Sequence, residues 1–173
     1  VDDKDFVAWA NHSLTPAQAP TADGDWNKFV AQVVVPVTEG KKPDPAMYST
    51  DAQKGAALFM GPAKCVQCHT IDGSSAHGTA GPNLTHVASR TAIAAGFLDN
   101  LNNEGTAIDP VRQKENFIHW ISDSYDIKPG NLMWYGSGNT GGLRDIVAQN
   151  KANGTPITDQ DWHYLAAYLM TLK

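Results

Sequence analysis

Cys65 and Cys68 stand three positions apart with His69 directly after the second, and this Cys-Val-Gln-Cys-His stretch constrains the chain more than any other feature. It is the attachment pattern of a c-type haem. At that spacing both sulfurs reach the two vinyl groups on one edge of a porphyrin, while the next side chain lies under the iron as its proximal ligand. Two blander uses of the same pentapeptide fit less well. Tetrahedral zinc needs four ligands, and no second Cys pair or closely spaced His pair follows. A thioredoxin-like redox pair calls for a surrounding βαβ pattern, whereas Gln53 to Phe59 and Pro82 to Ala95 do not alternate like strands.

Composition agrees with a small soluble module. The 173 residues allow one domain of ordinary size with some extension, and 42% hydrophobic content is enough for a single core. Both cysteines of the chain lie in the motif, so they say nothing about structural disulfides. Covalent haem attachment places assembly outside the bacterial cytoplasm or in an equivalent compartment. No apolar run approaches membrane-spanning length, and a start at Val1 without a basic-then-apolar leader is what a processed protein or an excised fragment presents. A net charge of −5 disfavours nucleic acid or an anionic membrane as partner and suits a basic protein surface.

Organisation changes along the chain at three places. Residues 1–12 read as the tail of something larger, with Asp2 and Asp3 able to cap a short helix carrying Phe6, Val7 and Trp9. Residues 13–48 hold Pro16, Pro20, Pro36, Pro43 and Pro45, interrupted by Asp25 to Val35, and read as a linker with a docked helix or a helix running into a short strand. A compact domain over 49–173 opens with a capping box, Thr50 and Gln53, at the head of a helix ending near Met60. That helix sets Gly55 and Phe59 on one face, four residues apart, where a partner can press closely. The matching partner is the last helix, opened by Thr158 and Asp161 and carrying Trp162, Leu165, Ala166, Leu169 and Met170 at helical spacing. A third helix is expected from Val111 to Ser122 behind the cap Asp109-Pro110, with Phe117, Trp120 and Ile121 on one face. A fourth, shorter one is expected from Ala88 or Thr91 to Leu101. The fold class is all-α with long loops.

A low-spin electron-transfer haem commonly takes a thioether opposite its histidine. Of the four methionines, Met60 sits too near Cys65 to loop round the ring, Met170 reads as core, and Met47 lies in the linker. Met133 remains, in a Pro-Gly-Asn loop far enough along the chain to have passed round the haem edge. His77, His86, His119 and His163 read as surface or structural histidines.

These residues resemble class I monohaem cytochromes c, and within them the haem domain at the end of subunit II of caa-type cytochrome c oxidases. The resemblance rests on Gly55 and Phe59, Cys65 to His69, Gly81-Pro82-Asn83-Leu84, Ala88-Ser89-Arg90, Trp120-Ile121, Lys128-Pro129-Gly130-Asn131-Leu132-Met133, and Leu165-Ala166-Ala167-Tyr168-Leu169. It implies first and last helices packed crosswise around one covalently bound haem c. It also implies His69 and Met133 as iron ligands, and the Pro82 carbonyl as acceptor for the His69 Nδ1–H. Arg90 and Trp120 are similar in placement to family residues that contact the haem propionates, the alternatives being a surface cation and a core ring. Val1 to Trp9 resembles chain leaving the copper domain of those oxidase subunits, although the copper centre itself needs two further cysteines that the sequence lacks.

The sequence also departs from that pattern. Trp134 follows the ligand loop where the family has proline, and extra segments, 102–108 and 137–154, flank Met133. Segments of that size are usually functional or disordered, and these are expected to reshape the exposed haem edge where a donor docks. The function expected is relay of one electron from a donor protein to the copper centre of the chain's own oxidase, at the periplasmic or outer face of the membrane. The chain would perform no catalysis itself, contacting the oxidase's copper domain and catalytic subunit and meeting the membrane only through them. Rival readings are a free-standing soluble periplasmic cytochrome c, a haem relay domain of another oxidoreductase, and a catalytic or gas-sensing haem with an open sixth position. Met133 argues against the last.

Overall fold

The computed structural model describes residues 3–21, 23–33 and 50–173. Asp2, the prolines 36, 43 and 45, and Met47 lie outside the described residues, as does the Trp9 side chain. Eight α-helices occur among the described residues: α1 (Asp3–Ser13), α2 (Trp26–Val33), α3 (Asp51–Met60), α4 (Pro110–Ser122), α5 (Ser124–Ile127), α6 (Leu132–Tyr135), α7 (Leu143–Ala152) and α8 (Asp159–Leu169). None is long and apolar enough to cross a membrane.

Helix α3 begins where its capping box dictates. Thr50 Oγ1 accepts from the Gln53 N–H while Gln53 Oε1 accepts from the Thr50 N–H, each at 3.2 Å. At α8 the Asp161 carboxylate accepts from both the Thr158 N–H and its hydroxyl at 2.7 Å, so the first turn is closed on its cap. The two helices meet at Gly55, where an added Cβ would collide with the Tyr164 carbonyl and lie 2.8 Å from Tyr168 Cβ. Only a residue without a side chain lets the backbones approach so closely. Around that crossing Phe59, Leu165, Ala166, Tyr168 and Leu169 are buried, and the rings of Phe59 and Tyr168 meet edge to face at 5.5 Å.

Helix α4 starts as the Asp109-Pro110 pair requires, with Asp109 Oδ1 accepting from the Val111 and Arg112 N–H groups. It buries Phe117 and Ile121, and Trp120 is half-buried beside them. The helix expected between Ala88 or Thr91 and Leu101 does not form. In its place a single 3-10 turn, Val87–Ser89, leads into a short antiparallel hairpin, β1 (Ala92–Ile93) and β2 (Leu98–Asp99). The alanines that favour helix at Ala94 and Ala95 take left-handed conformations, φ 55° and 60°, and Gly96 continues the turn at φ 88°. Asn100 holds the hairpin shut, its Nδ2–H donating to the Arg90 carbonyl at 2.9 Å and its N–H to the Thr91 carbonyl at 2.8 Å. Local propensity yields there to hydrogen bonds that close the loop.

The extra segment 102–108 is a tight turn closed by the Leu101–Ile108 bridge and by Asn102 Oδ1, which accepts from the Thr106 N–H. Segment 137–154 contains α7. That helix buries Leu143, and Asn150 Nδ2–H donates to the Pro62 carbonyl at 2.9 Å. The helix expected between residues 13 and 48 is α2, and the Pro-containing stretch before it is partly internal: Ala17 and Ala19, with Trp26 and Phe29 of α2, belong to the same buried cluster as α3 and α8. On α1, Phe6 and Val7 are exposed.

Candidate haem site

A sharp reversal follows α3, with Lys64 in the left-handed region at φ 53°. Residues Cys65–Gln67 then form one 3-10 turn, and the N–H groups of Cys68 and His69 both donate to the Cys65 carbonyl, at 3.1 and 2.9 Å. The motif is therefore a wound turn and not a strand end. Both cysteines are free thiols. Cys65 is partly buried as a residue, yet its sulfur is packed among protein atoms, and that desolvation, aided by nearby Cys68, pushes its thiol up to about 12. Such a sulfur is disfavoured as a thiolate.

His69 Nδ1 lies 2.8 Å from the Pro82 carbonyl oxygen. A carbonyl can only accept, so Nδ1 carries the proton and Nε2 holds a lone pair. No hydrogen-bond partner meets that lone pair among the described residues. Burial lowers the His69 pKa, the bond to Pro82 opposes the shift, and the positive charge of Arg90 reinforces it. The imidazole is held neutral with one nitrogen free to ligate.

The loop that presents Pro82 is shaped around that ring. An added Cβ on Gly81 would stand 2.6 Å from His69 Cε1, so glycine alone lets the chain pass. The Gly81 N–H donates to the Cys68 carbonyl at 2.6 Å, Gly78 to the His69 carbonyl at 3.2 Å, and Leu84 to the Thr70 carbonyl at 2.8 Å. Arg90 Nη2 donates to the Asn83 carbonyl at 2.5 Å, one residue past Pro82, and burial lowers its pKa. The structure thus brings Cys65, Cys68, His69, Pro82 and Arg90 into one neighbourhood.

Met133 and Trp120 border the same core as half-buried apolar side chains, together with Cys65, Leu84 and Leu98, but neither bonds to the His69 group. The Trp120 indole N–H has no acceptor among the described residues. Met133 sits on α6, whose position is fixed by Asn131. The Asn131 side chain accepts from the Trp134 N–H at 2.9 Å and donates to the carbonyls of Ser124 and Lys128, each at 2.8 Å. His77, His119 and His163 are exposed, and His86 Nδ1 pairs with the Lys173 carbonyl oxygen at 2.7 Å. Among the described residues no group of three or more His, Cys, Asp and Glu could hold a metal by itself.

These residues fit a c-type haem. Two free sulfurs, a neutral imidazole with an unshared lone pair and a rim of half-buried apolar side chains are the donor set and the walls such a ring needs. Tyr168 points the same way: its hydroxyl is buried without a hydrogen-bond partner, and that burial, with a lesser contribution from Cys65, raises its pKa well above the usual value.

Some contributors were not visible in sequence. Asn131 carried a signal, since Asn directly before an apolar run is a standard N-cap, but its bonds to Ser124 and Lys128 depend on the loop's path. Asn83 enters the family resemblance as part of Gly81-Pro82-Asn83-Leu84 but its bracing role does not follow from it, and Asp72 and Thr85, which brace the same loop, carry no signal, because residues in irregular chain announce no pairing. No solved structure matches the chain. The family model described as Cytochrome c matches residues 52–173, from the second residue of α3 to the end of α8 and beyond. That stretch takes in the Cys-x-x-Cys-His turn, the Gly81-Pro82 loop and Met133, and with the helical architecture it establishes that the chain belongs to the cytochrome c family.

Proposed function

We propose that this cytochrome c domain relays single electrons from a donor protein to the copper centre of a terminal haem-copper oxidase. Electron transfer through a c-type haem is the family's work, and domains of this kind are carriers and not enzymes. The bound haem supplies the one-electron couple between ferrous and ferric iron. In this reading Cys65 and Cys68 would hold the macrocycle as thioethers, and His69 and Met133 would ligate the iron. Pro82 orients the imidazole and raises its basicity, while Arg90 and Trp120 serve as donors to the propionates. The observation that carries the site assignment is the His69–Pro82 bond of 2.8 Å, which fixes the tautomer whose free nitrogen can bind iron.

The oxidase assignment draws on the Lys-Pro-Gly-Asn-Leu-Met segment and on the first nine residues. The partners proposed are the oxidase's own copper domain and catalytic subunit, together with a donor whose docking face is basic, as the net charge of −5 favours. The domain would work on the periplasmic or outer face of a bacterial cytoplasmic membrane. Mixing the reduced domain with a copper-loaded subunit II domain tests the relay. Rapid oxidation that slows as salt rises or when surface charge is reversed supports it, whereas no transfer despite a normal haem spectrum would refute the oxidase assignment alone.

A further inference from the structure

The segment before α3 lies outside the stretch that matches the family, yet it grips one part of the domain at three points. The Ala17 N–H donates to the Asp72 carbonyl at 2.9 Å. Pro16 packs over Gly73, where an added Cβ would lie 2.8 Å from Pro16 Cβ. The His12 ring stacks at 4.5 Å on His86, tilted by 46°. All three contacts fall on the irregular chain between His69 and Arg90, the loop that carries Pro82.

The segment is anchored independently of those contacts. Trp26 donates its indole N–H to the Ala17 carbonyl at 2.8 Å, and its ring meets Phe29 at 5.7 Å and Tyr168 of α8 at 6.3 Å. Phe29 and Trp26 are buried. From Asp72 the bonding runs on toward the histidine. The Asp72 N–H donates to Thr85 Oγ1 at 2.9 Å, Asn83 Nδ2–H donates to Asp72 Oδ2 at 3.1 Å, and the Thr85 N–H donates to Asn83 Oδ1 at 2.8 Å. Asn83 is the residue after Pro82, so one peptide link separates this network from the acceptor of the His69 proton.

We propose that Pro16–Phe29 is a strap that holds the Pro82 carbonyl against His69, with Asp72 and Asn83 as positioning residues. A loop without helix or strand ladder opens easily unless other elements bear on it, and here the anchored segment bears on it twice, through Pro16 and Ala17, with His12 of α1 adding a third contact. The strap therefore controls how tightly the imidazole proton is held. The inference rests on the His69–Pro82 contact and extends beyond the relay function.

Hydrogen exchange in the reduced haem protein, followed by NMR, tests it at the His69 Nδ1–H and Leu84 N–H, with the Phe117 and Leu165 amides as references for global opening. Trp26→Ala is expected to speed exchange at His69 and Leu84 about a hundredfold, and the references by much less. Should Trp26→Ala not fold, Trp26→Phe keeps one aromatic ring in the core, loses the indole N–H with its bond to Ala17 and part of the packing, and is expected to speed the same two protons about fivefold. Asp72→Ala should act like Trp26→Phe, and Asp72→Asn, which keeps an acceptor for Asn83, should restore near-native exchange. Unchanged exchange at His69, or an equal rise at all four protons, would overturn the proposal. A strongly ring-current-shifted His69 resonance in the unaltered protein reports iron ligation separately. Its absence counts against ligation, while the exchange ratios still decide the strap.

Discussion

His69 is held by a loop whose backbone bonds close within a short stretch of chain, from Cys65 to Arg90, whereas Met133 rides on a one-turn helix positioned by side chains, Asn131 at its start and Tyr135 at its end, whose ring meets Tyr125 at 5.3 Å and Arg144 at 5.1 Å. On the first side the carbonyls of Cys68, His69 and Thr70 each receive an N–H from the returning strand of the loop, and the glycine at 81 leaves exactly the space of the imidazole ring. On the second side the chain beyond α6 turns through Gly136, at φ 74°, and Gly142, which pack on each other's backbone. Helix α7 then braces the turn before the cysteines through Asn150 and through Lys64 Nζ, which donates to Gln149 Oε1 at 2.7 Å. Many short backbone bonds share the load on the His69 side, while the Met133 side depends on a few side chains with Asn131 as their hub. Of the two proposed ligands, Met133 is therefore expected to let go first.

The largest effect should come from closing the space under the imidazole. Gly81→Ala puts a methyl group 2.6 Å from His69 Cε1 and 2.7 Å from Nδ1, against a ring that its bond to Pro82 holds in place, and is expected to cost about 3 kcal/mol in denaturant unfolding of the haem protein. A cost under about 0.5 kcal/mol would show that the loop yields, and the contrast between the two sides would collapse. Next in size is the hub itself. Asn131→Ala removes the cap on α6 and the side-chain N–H shared by the Ser124 and Lys128 carbonyls, which keep their backbone donors, a loss of about 2 kcal/mol that should appear first as weakened thioether ligation and only later as unfolding. Spectra that lose His69 and Met133 signatures together would erase the distinction.

The smallest effect lies in the strap. Asp23 accepts from Lys28, from the Asp25 N–H and from the Thr21 hydroxyl, and these bonds lower its pKa from 3.8 to about 2. A folded-state pKa below the unfolded one gives stability that is present above the ordinary carboxylate range and lost as pH falls through about 2. Because the carboxylate is fully exposed, only a slight loss of strap protection is expected across that window. Asp23→Asn should flatten it, and an unaltered acid response in that variant would remove Asp23 from the account.

Much of the fold could be read from residues that act locally. The capping pairs at Thr50, Asp109 and Thr158 set the starts of α3, α4 and α8 because each bond closes within three residues, and Gly55 with Phe59 marked the helix crossing. The region from Ala88 to Leu101 misled because its alanines favour helix, while the bonds that override them come from Asn100 and, across the fold, from Gln113, whose Nε2–H donates to the Ala88 carbonyl at 2.9 Å. At the site, the Cys-x-x-Cys-His turn and Pro82 were legible because each residue has a definite chemical duty. Asp72, the strap and the bracing role of Asn83 were not, because their contribution comes from the path of irregular chain. Helix α7 was also hidden, since the glycines around it read as loop and its buried face is carried by few residues, Leu143 and Asn150 among them.

The most direct test is the absorption spectrum and midpoint potential of the haem-loaded protein beside its Met133→Ala variant. The account expects a thioether-to-ferric charge-transfer band in the oxidised parent and no carbon monoxide adduct in its reduced form. In the variant the band should vanish and the potential should fall by on the order of 0.1–0.3 V. A variant that keeps both the band and the potential of the parent would contradict it.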